Sequence, residues 1–424
     1  MRKMRDSGIA WIGVIPQDWE IVRTKSLYCS AKEIAGDRAD DFERLALTLN
    51  GVIKRSKEDS VGLQPEKFSG YQILKKGELV FKLIDLENVA TSRVGLSPYT
   101  GIVSPAYIVL SKQSRAKDLV VRYSMYHFLS MWQREIFNQM GDNGVRSSLN
   151  AKELLNIPHP FPSIYEQKRI VTFLDAQCAE IDAVLEKTRA SIEEYKKLKQ
   201  AVITQAVTKG IRGDRPMKDS GIEWIGDIPA EWDVIRVKQL LKERNERSKE
   251  GKEEPLSMSQ KVGLVPTKFL ESIPNMASSF VGAKLAYVDD LVFNKLKAHL
   301  GVFSVSRYDG LVSPDYAVYC STGKSNLKYL EYIFKTPQCI GEFRKKSTGI
   351  AAGLMRLYTE GLFSIYLPYP ALSEQEEIAE YLNEKCAGID ALIAKKQQYL
   401  TEIENYKKSL IYEYVTGKKE VYPL

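Results

Sequence analysis

The sequence predicts an α+β protein that is built twice, as two tandem globular domains of mixed helix and strand and two long helices. Three observations predict this class: an internal duplication, short strand-like runs between Gly and Pro residues, and an apolar seam at the end of each half. The chain has 424 residues, which is enough for more than one domain. We expect a globular domain, a helix, a second globular domain and a second helix, at residues 1–160, 161–212, 213–370 and 371–424.

The duplication is visible in three matched segments. MRDSGIAWIG at 4–13 reappears as MKDSGIEWIG at 217–226, an offset of 213. GIVSPAY at 101–107 parallels GLVSPDY at 310–316, an offset of 209. A third match begins at the Glu-Gln pairs 166–167 and 374–375, an offset of 208. Because the offset drifts so little, the halves are collinear and represent a domain duplication.

The segments between these matches differ. Residues 31–76 share little with residues 244–288. Two similar frames with dissimilar inserts indicate one architecture that is used twice for two different targets.

The globular parts contain apolar runs typical of short strands, bounded by Gly and Pro. Segments rich in aromatic residues predict helices over 118–140 and 325–346. The strands are expected at 78–81, 107–110, 290–293 and 316–319.

A long helix should begin after the proline-rich end of each half. The Ser-x-x-Glu spacing at 163–166 and at 373–376 matches a capping box, in which each side chain bonds the other's backbone N–H. Gly210 and Gly417 mark the expected ends of the two helices.

Apolar residues recur along both helices in identical steps of three and four, which is the pattern of a coiled-coil seam. A polar residue stands at the same step in both, Thr188 and Lys396. The apolar seam comprises Ile170, Leu174, Cys178, Ile181, Leu185, Ile192, Tyr195, Leu198 and Val202 in the first helix and Ile378, Leu382, Cys386, Ile389, Ile393, Leu400, Ile403, Tyr406 and Leu410 in the second.

A helix with one narrow apolar stripe needs a partner. We expect the two helices to pair antiparallel within the chain, which would relate the halves by a pseudo-two-fold axis. Packing of each helix on its own globular domain, or pairing between two chains, remains an alternative.

Composition narrows the class of protein. Hydrophobic residues make up 44% and charged residues 27%, values typical of a globular protein. No apolar run approaches the ~20 residues of a membrane span, and the N-terminus does not resemble a secretory signal. The five cysteines are scattered without a Cys-x-x-Cys pair, and only three histidines occur. A disulfide framework or a metal site is therefore not expected, and a cytoplasmic location fits.

The net positive charge of the chain lies outside the two predicted long helices. The chain carries +7 overall, but residues 163–210 carry +1 and residues 371–420 carry −3. The remaining, mainly globular, residues therefore carry +9. Two basic domains are the arrangement expected of a protein that binds DNA phosphates at two sites.

Signatures of catalysis are missing from the sequence. No Gly-x-Gly-x-x-Gly follows a strand, no Asn-Pro-Pro-Tyr methyltransferase motif occurs, and Pro314-Asp315 lacks the rest of a nuclease motif. His127, which is surrounded by aromatic residues, is interpreted as a packed helix residue.

Four segments present in both halves resemble the specificity subunits of type I restriction–modification systems. They are D-S-G-I-x-W-I-G-x-I-P-x-x-W, G-[IL]-V-S-P-x-Y, a turn that ends in Arg146 or Arg356, and E-Q-x-x-I before a helix with C-A-x-I-D-A. The resemblance covers essentially the whole chain.

The resemblance implies that each globular part is a target recognition domain for one half of a split sequence in double-stranded DNA. It implies that the helices are a spacer that sets the gap and docks two methyltransferase subunits, and that separate restriction/translocase subunits join the complex. The chain would be non-catalytic and bind no cofactor or metal, while S-adenosylmethionine, ATP and Mg²⁺ belong to the partners. The dissimilar inserts predict an asymmetric bipartite site.

Candidate DNA contacts are basic residues near the matched segments. Arg can bind guanine O6 and N7 or a phosphate, and it can equally serve as a structural residue. The sequence after Lys82 departs from the family pattern, which indicates a different recognition class in the first half. The candidates are Lys54, Arg55, Lys82, Arg146, Lys295, Lys297, Arg344, Lys345, Lys346 and Arg356.

Two other classes of function remain open from the sequence. One is an adaptor without DNA binding whose coiled coil assembles other proteins. The other is an enzyme, such as a nuclease, whose residues match no known motif.

Overall fold

A computed structural model of the chain describes residues 2–49, 51–59, 67–84, 86, 93–140, 148–260, 262–270, 280–349 and 355–422. The chain forms two compact units: unit 1 contains residues 1–189 and 398–424, and unit 2 contains residues 190–397. Each long helix therefore contributes one part to each unit. The predicted boundaries, which separate whole helices from the globular domains, stay a prediction.

The first half of the chain combines short strands with helices. Its strands are β1 (Met4–Asp6), β2 (Val14–Pro16), β3 (Glu20–Arg23), β4 (Tyr28–Cys29), β5 (Arg44–Thr48), β6 (Gly51–Arg55), β7 (Gln72–Leu74), β8 (Leu79–Phe81), β9 (Val94–Leu96), β10 (Gly101–Val103), β11 (Ile108–Lys112) and β12 (Pro158–Phe161). Its helices are α1 (Thr24–Leu27), α2 (Val121–Gln133), α3 (Ile136–Met140), α4 (Ala151–Asn156) and α5 (Ile164–Lys209).

The second half repeats this order. Its strands are β13 (Met217–Asp219), β14 (Asp227–Pro229), β15 (Asp233–Arg236), β16 (Leu241–Arg244), β17 (Leu256–Ser259), β18 (Gly263–Pro266), β19 (Lys284–Ala286), β20 (Leu291–Asn294), β21 (Phe303–Val305), β22 (Gly310–Val312), β23 (Tyr316–Ser321) and β24 (Tyr366–Tyr369). Its helices are α6 (Leu327–Phe334), α7 (Pro337–Lys346), α8 (Thr359–Phe363) and α9 (Leu372–Val415).

Each unit has the same central sheet. It has the order β4-β11-β8-β9 in unit 1 and β16-β23-β20-β21 in unit 2, with antiparallel neighbours throughout. All four predicted strands lie in these sheets. Phe81 and Phe293 are buried at equivalent positions in them.

The two aromatic-rich segments form helices as predicted, but each is interrupted. In unit 1 the break falls at Glu135, whose φ of 57° is incompatible with a continuing helix. In unit 2 it falls at Thr336, which caps α7 from the side chain, while Pro337 occupies the first turn.

The dissimilar inserts contain a hairpin that docks in the same way in both units. The hairpin is β5–β6 in unit 1 and β17–β18 in unit 2. The N–H of Ile102 donates to the carbonyl of Glu43 at 2.9 Å, and the N–H of Leu311 donates to that of Glu254 at 2.9 Å. The described parts of the two inserts therefore share this hairpin and its docking contact.

The long helices pair antiparallel within each unit, as predicted. In unit 1, Asp182 pairs with Lys407 at 2.6 Å, and Arg189 pairs with Glu404 at 2.6 Å. The numbers rise along α5 while they fall along α9. The predicted α+β class with two paired long helices is confirmed.

Unit 2 shows the same antiparallel pairing. Lys199 bonds Asp390 at 2.6 Å, and the Lys396 ammonium lies 5.6 Å from the ring centre of Tyr195. The polar seam residue of α9 therefore makes a cation–π contact with an aromatic seam residue of α5.

Most predicted seam residues are buried or half-buried, but one step departs from the prediction in both helices. Leu198 is 49% exposed and Tyr406 is 54% exposed. The next residues, Lys199 and Lys407, are the ones that bond across the helix pair. The prediction of Leu198 and Tyr406 as seam residues is wrong, because a cross-helix ion pair replaces apolar packing at this step.

A Trp–Glu–Arg cluster fixes the start of the long helix in unit 1. The Trp19 indole N–H donates to Glu166 in the first turn of α5 at 2.9 Å. Arg2 bonds the same carboxylate, and also Asp18 at 2.6 Å. The repeated I-P-x-x-W segment is thereby joined to the helix.

Unit 2 repeats this cluster with equivalent residues. The Trp232 indole N–H donates to Glu374 at 2.9 Å, and Arg215 bonds Glu374 at 2.5 Å and Glu231 at 2.7 Å. Trp19 and Trp232 are each 1% exposed, so both indoles belong to the cores of their units.

The predicted capping boxes are only half correct. The Ser163 hydroxyl accepts from the N–H of Glu166 at 3.3 Å, but the Glu166 carboxylate bonds Trp19 and Arg2 instead of the Ser163 backbone. The second helix begins at Leu372, before Ser373, so the second box is wrong.

The glutamine of each Glu-Gln pair is also structural. Gln167 is fully buried and accepts from the N–H of Val120 at 2.8 Å, one residue before α2. Gln375 accepts from the N–H of Asn326 at 3.0 Å, one residue before α6. The Glu-Gln pair therefore ties two chain segments to the start of each long helix.

Unit 1 has a buried histidine pair. His127 and His159 have ring centres 4.5 Å apart, and Nε2 of His159 lies 2.9 Å from the Ser124 hydroxyl. The equivalent positions in unit 2 carry Ile333 and Leu367. Burial lowers the pKa of His159 to about 4 and also lowers that of His127. The interpretation of His127 as a packed residue agrees with this burial.

We predict that Glu374→Ala destabilises unit 2 by about 3 kcal/mol, because Trp232 and Arg215 lose a buried charged acceptor. Denaturant unfolding measures the change. The matched control is Glu376→Ala on the exposed face of the same turn, which should change stability by no more than about 0.5 kcal/mol. Equal effects of the two variants would contradict the anchoring role.

We also predict that stability falls as the pH decreases below 6.5. Because the folded-state pKa of His159 is depressed, its contribution is full above the unfolded-state pKa of about 6.5 and is lost toward pH 4. The loss from His159 is about 2 kcal/mol at pH 5. The double variant His127→Ile/His159→Leu should show a smaller change in unfolding midpoint between pH 7 and pH 5. An unchanged pH dependence would refute this assignment.

Candidate nucleic-acid interface

Three matched segments of unit 2 meet at the end of β20. The N–H of Lys295 donates to the carbonyl of Asp315 at 3.3 Å, and the N–H of Leu357 donates to the carbonyl of Lys295 at 3.0 Å. Lys295 thus lies between the residue before β23 and the segment that contains Arg356. Backbone hydrogen bonds therefore bring together segments far apart in sequence.

The side chains at this junction are charged. The Arg356 guanidinium lies 3.5 Å from the Asp315 carboxylate, and these side chains are 40% and 48% exposed. The Lys295 ammonium donates to the carbonyl of Pro314 at 3.3 Å. We call Lys295, Asp315 and Arg356 the junction residues of unit 2.

The backbone of Arg356 is fixed independently of its side chain. It exchanges two hydrogen bonds with Thr348, at 2.9 and 3.0 Å, just after α7. The side chain therefore projects from a fixed point on the surface.

Further predicted cations surround this junction. Lys297 is exposed at the start of a 3-10 turn, and that turn packs against α7. Arg344, Lys345 and Lys346 are exposed in the last turn of α7, where cations also stabilise the helix dipole. Glu342 bonds Lys345 at 2.7 Å and raises its pKa. Unit 2 therefore brings six of the predicted basic residues to this junction or to α7 and the turn packed on it.

Unit 1 has the same backbone junction with different side chains. The N–H of Leu149 donates to the carbonyl of Leu83 at 2.9 Å, as Leu357 does to Lys295. Leu83, which is 1% exposed, therefore occupies the place of Lys295.

This junction sets the register between the two units. The N–H of Lys82 donates to Arg93 at 3.0 Å, as the N–H of Asn294 donates to Val302 at 3.1 Å, so Lys82 is the counterpart of Asn294. Ser148 precedes Leu149 as Arg356 precedes Leu357, so Ser148 is the counterpart of Arg356. Arg146 lies outside the described residues.

The remaining candidates of unit 1 lie on the insert hairpin. Lys54 bonds Glu43 at 2.6 Å, and Arg55 bonds Asp59 at 2.7 Å. Both face a shallow cleft of about 570 Å³ that also contains Arg44. They are not at the junction, so the structure places the three described candidates of unit 1, Lys54, Arg55 and Lys82, at two separate points.

The x position in G-[IL]-V-S-P-x-Y contributes a side chain to the unit 2 junction, and it was not among the residues predicted from the sequence. This position is Ala106 in unit 1 and Asp315 in unit 2, so the two halves show it only as a mismatch within the motif. Arg44 is not among the basic residues predicted from the sequence either. It lines the same cleft as Lys54 and Arg55, and its guanidinium lies 5.5 Å from the ring centre of Phe68.

Within the described residues, no group of three or more His, Cys, Asp or Glu side chains could hold a metal ion. In that same part of the chain, no helix is long and apolar enough to cross a bilayer.

The chain is similar to curated and solved proteins over nearly its whole length. It is 24% identical to the type I restriction enzyme MjaVIII specificity subunit of Methanocaldococcus jannaschii, covering 96% of this chain and 94% of the relative. It is 25% identical to the putative MjaX specificity subunit of the same organism, covering 97% and 96%. No family model matches the chain.

Solved structures share the fold. A chain from a study of complex assembly and conformational transition of the type I R-M system aligns with a TM-score of 0.71 and 14% identity, covering 96% of this chain and 99% of that one. The HsdS subunit from Thermoanaerobacter tengcongensis aligns with a TM-score of 0.50 and 14% identity, covering 96% and 98%.

Proposed function

We infer, since the chain belongs to the family of type I restriction enzyme specificity subunits, that it provides the DNA sequence specificity of such an enzyme. In this proposal each globular domain binds one half of an asymmetric bipartite site in double-stranded DNA. The chain itself is a non-catalytic subunit. Its location is the cytoplasm, where the DNA and the partner subunits are found.

One observation carries the proposal. The two units repeat the same junction of backbone segments, but the junction holds Leu83 in unit 1 and Lys295 in unit 2. A duplicated frame with different side chains at one place is what reading two different half-sites requires. A scaffold that bound the same partner twice would have no use for that difference.

The charge distribution supports DNA as the ligand. The net positive charge of +9 lies outside the residues of the two long helices and their ends. In unit 2, exposed or half-exposed cations are Lys295, Lys297, Arg344, Lys346 and Arg356. Such cations attract phosphates, while Arg and Lys also bind base edges.

The helices support a spacer and docking role. Ion pairs between α5 and α9 fix their antiparallel register in each unit. A helix pair of fixed register would set the gap between half-sites, and its outer faces would dock two methyltransferase subunits. The restriction/translocase subunits join that complex. S-adenosylmethionine, ATP and Mg²⁺ act in those partners.

The test is duplex binding by the chain assembled with its methyltransferase partner, measured as a function of salt. Since binding releases counterions, log K should fall steeply with log salt. Salt-independent or absent binding would favour the adaptor alternative. Metal-dependent cleavage by the isolated chain would favour the nuclease alternative.

In the same assay, Lys297→Ala should weaken binding to all duplexes about equally and reduce the salt slope by about 1, because Lys297 contacts a phosphate. Lys385→Ala, an equal charge change on the exposed face of α9, is the control and should leave the slope unchanged. A slope that responds equally to both variants would contradict a local phosphate contact.

Removing one heptad from the middle of each long helix should shorten the gap between half-sites. Seven residues of helix span about 10 Å, which corresponds to about 3 base pairs. Methylation mapping of the variant complex measures the gap. Changed bases within either half-site, with the gap unaltered, would refute the spacer role.

A further inference from the structure

We propose that the junction is a specificity-determining site, and that in unit 2 Arg356, positioned by Asp315, hydrogen bonds to a guanine. This inference rests on the proposed function and goes beyond it, because it names the residues that make the two half-sites different. In unit 1 the same three positions hold Leu83, Ala106 and Ser148, and none of these three described residues has an ionic side chain to offer to a base.

The equivalence of the two junctions rests on backbone hydrogen bonds rather than on sequence likeness. Leu149 donates to Leu83 at 2.9 Å, and Leu357 donates to Lys295 at 3.0 Å. The strand pairing agrees, since Phe81 faces Ile108 as Phe293 faces Ala317. Ile108 is therefore the counterpart of Ala317, and two residues earlier Ala106 is the counterpart of Asp315.

The chemistry of the unit 2 junction favours a base edge over a phosphate. A guanidinium has five donors, and the contact with Asp315 joins its Nη2 to the Asp315 Oδ1 at 3.5 Å, so a pair of donors remains available for guanine O6 and N7. The Asp315 carboxylate repels a phosphate that approaches Arg356. It also restricts the rotation of a side chain that is 40% exposed, so Asp315 is a positioning residue.

Lys295 completes the arrangement. Its ammonium donates to the carbonyl of Pro314, beside Asp315, and its backbone bonds to both neighbouring segments. The cation therefore remains close to the Arg356–Asp315 pair without neutralising it. Its counterpart Leu83 is buried and turned into the core of unit 1.

The experiment maps methylation by the full complex in a host without other adenine methylation, together with competition binding on duplexes altered one base at a time. The variants are Arg356→Ala, Arg356→Lys, Asp315→Asn and the exchange Lys295→Leu/Asp315→Ala/Arg356→Ser, which installs the side chains of unit 1. The matched control is Arg212→Ala/Glu377→Ala, which removes an exposed ion pair of the same unit that is not among the candidate contacts.

We expect Arg356→Ala to reduce discrimination at one guanine of one half-site by about 5- to 150-fold and to leave the other half-site unchanged. Arg356→Lys should retain overall affinity without restoring that discrimination, because Lys lacks the bidentate fork. Asp315→Asn should relax the same position while affinity for non-cognate duplexes stays equal or increases. The exchange variant should lose the guanine requirement, and the control should keep the wild-type motif.

Three results would overturn the inference. One is an unchanged motif and unchanged discrimination in Asp315→Asn and the exchange variant. Another is a change confined to the half-site that unit 1 binds. The third is a loss of affinity in Arg356→Ala that is equal for all duplexes and leaves discrimination unchanged, because the contact would then be to a phosphate. A wild-type complex that methylated no bipartite motif would instead refute the proposed function, so the two failures are distinguishable.

Discussion

The bond between a buried tryptophan and a glutamate in the first turn of a long helix is the interaction on which each unit depends. Trp19 with Glu166, and Trp232 with Glu374, join the amino-terminal segment of a half to the helix that ends that half. An arginine neutralises each carboxylate, so the buried charge is compensated. The start of each helix is thus fixed relative to the globular part of its unit.

Close backbone contacts at two glycines hold the inserts on this frame. A Cβ on Gly101 would lie 2.5 Å from the carbonyl of Glu43, and one on Gly310 would lie 2.2 Å from that of Glu254. Both contacts dock the insert hairpin against the G-[IL]-V-S-P-x-Y segment. Because the docking uses backbone atoms, the hairpin side chains are free to differ between the halves, and they do.

Much of the architecture could be predicted from the sequence because duplication provides an internal comparison. The paired helices followed from a seam that recurs at one constant offset, and the central strands followed from short apolar runs.

Features set by contacts between distant segments could not be predicted in this way. Glu166 matches a local capping pattern, yet Trp19 and Arg2 bind its carboxylate. Leu198 fits the seam spacing, yet Lys199 bonds across the helix pair at that step. Lys82 follows the matching strand, yet the hydrogen bond of Leu149 to Leu83 makes Leu83 the counterpart of Lys295. In each case the decisive partner is remote in sequence.

The central claim is that one frame, used twice, binds two different half-sites. Mapping adenine methylation across a genome after co-expression of this chain with its methyltransferase partner tests it most directly. The account predicts a single motif with two different half-sites separated by a fixed gap of unspecified bases. An uninterrupted motif, two identical half-sites, or no methylated motif from an assembled complex would contradict it.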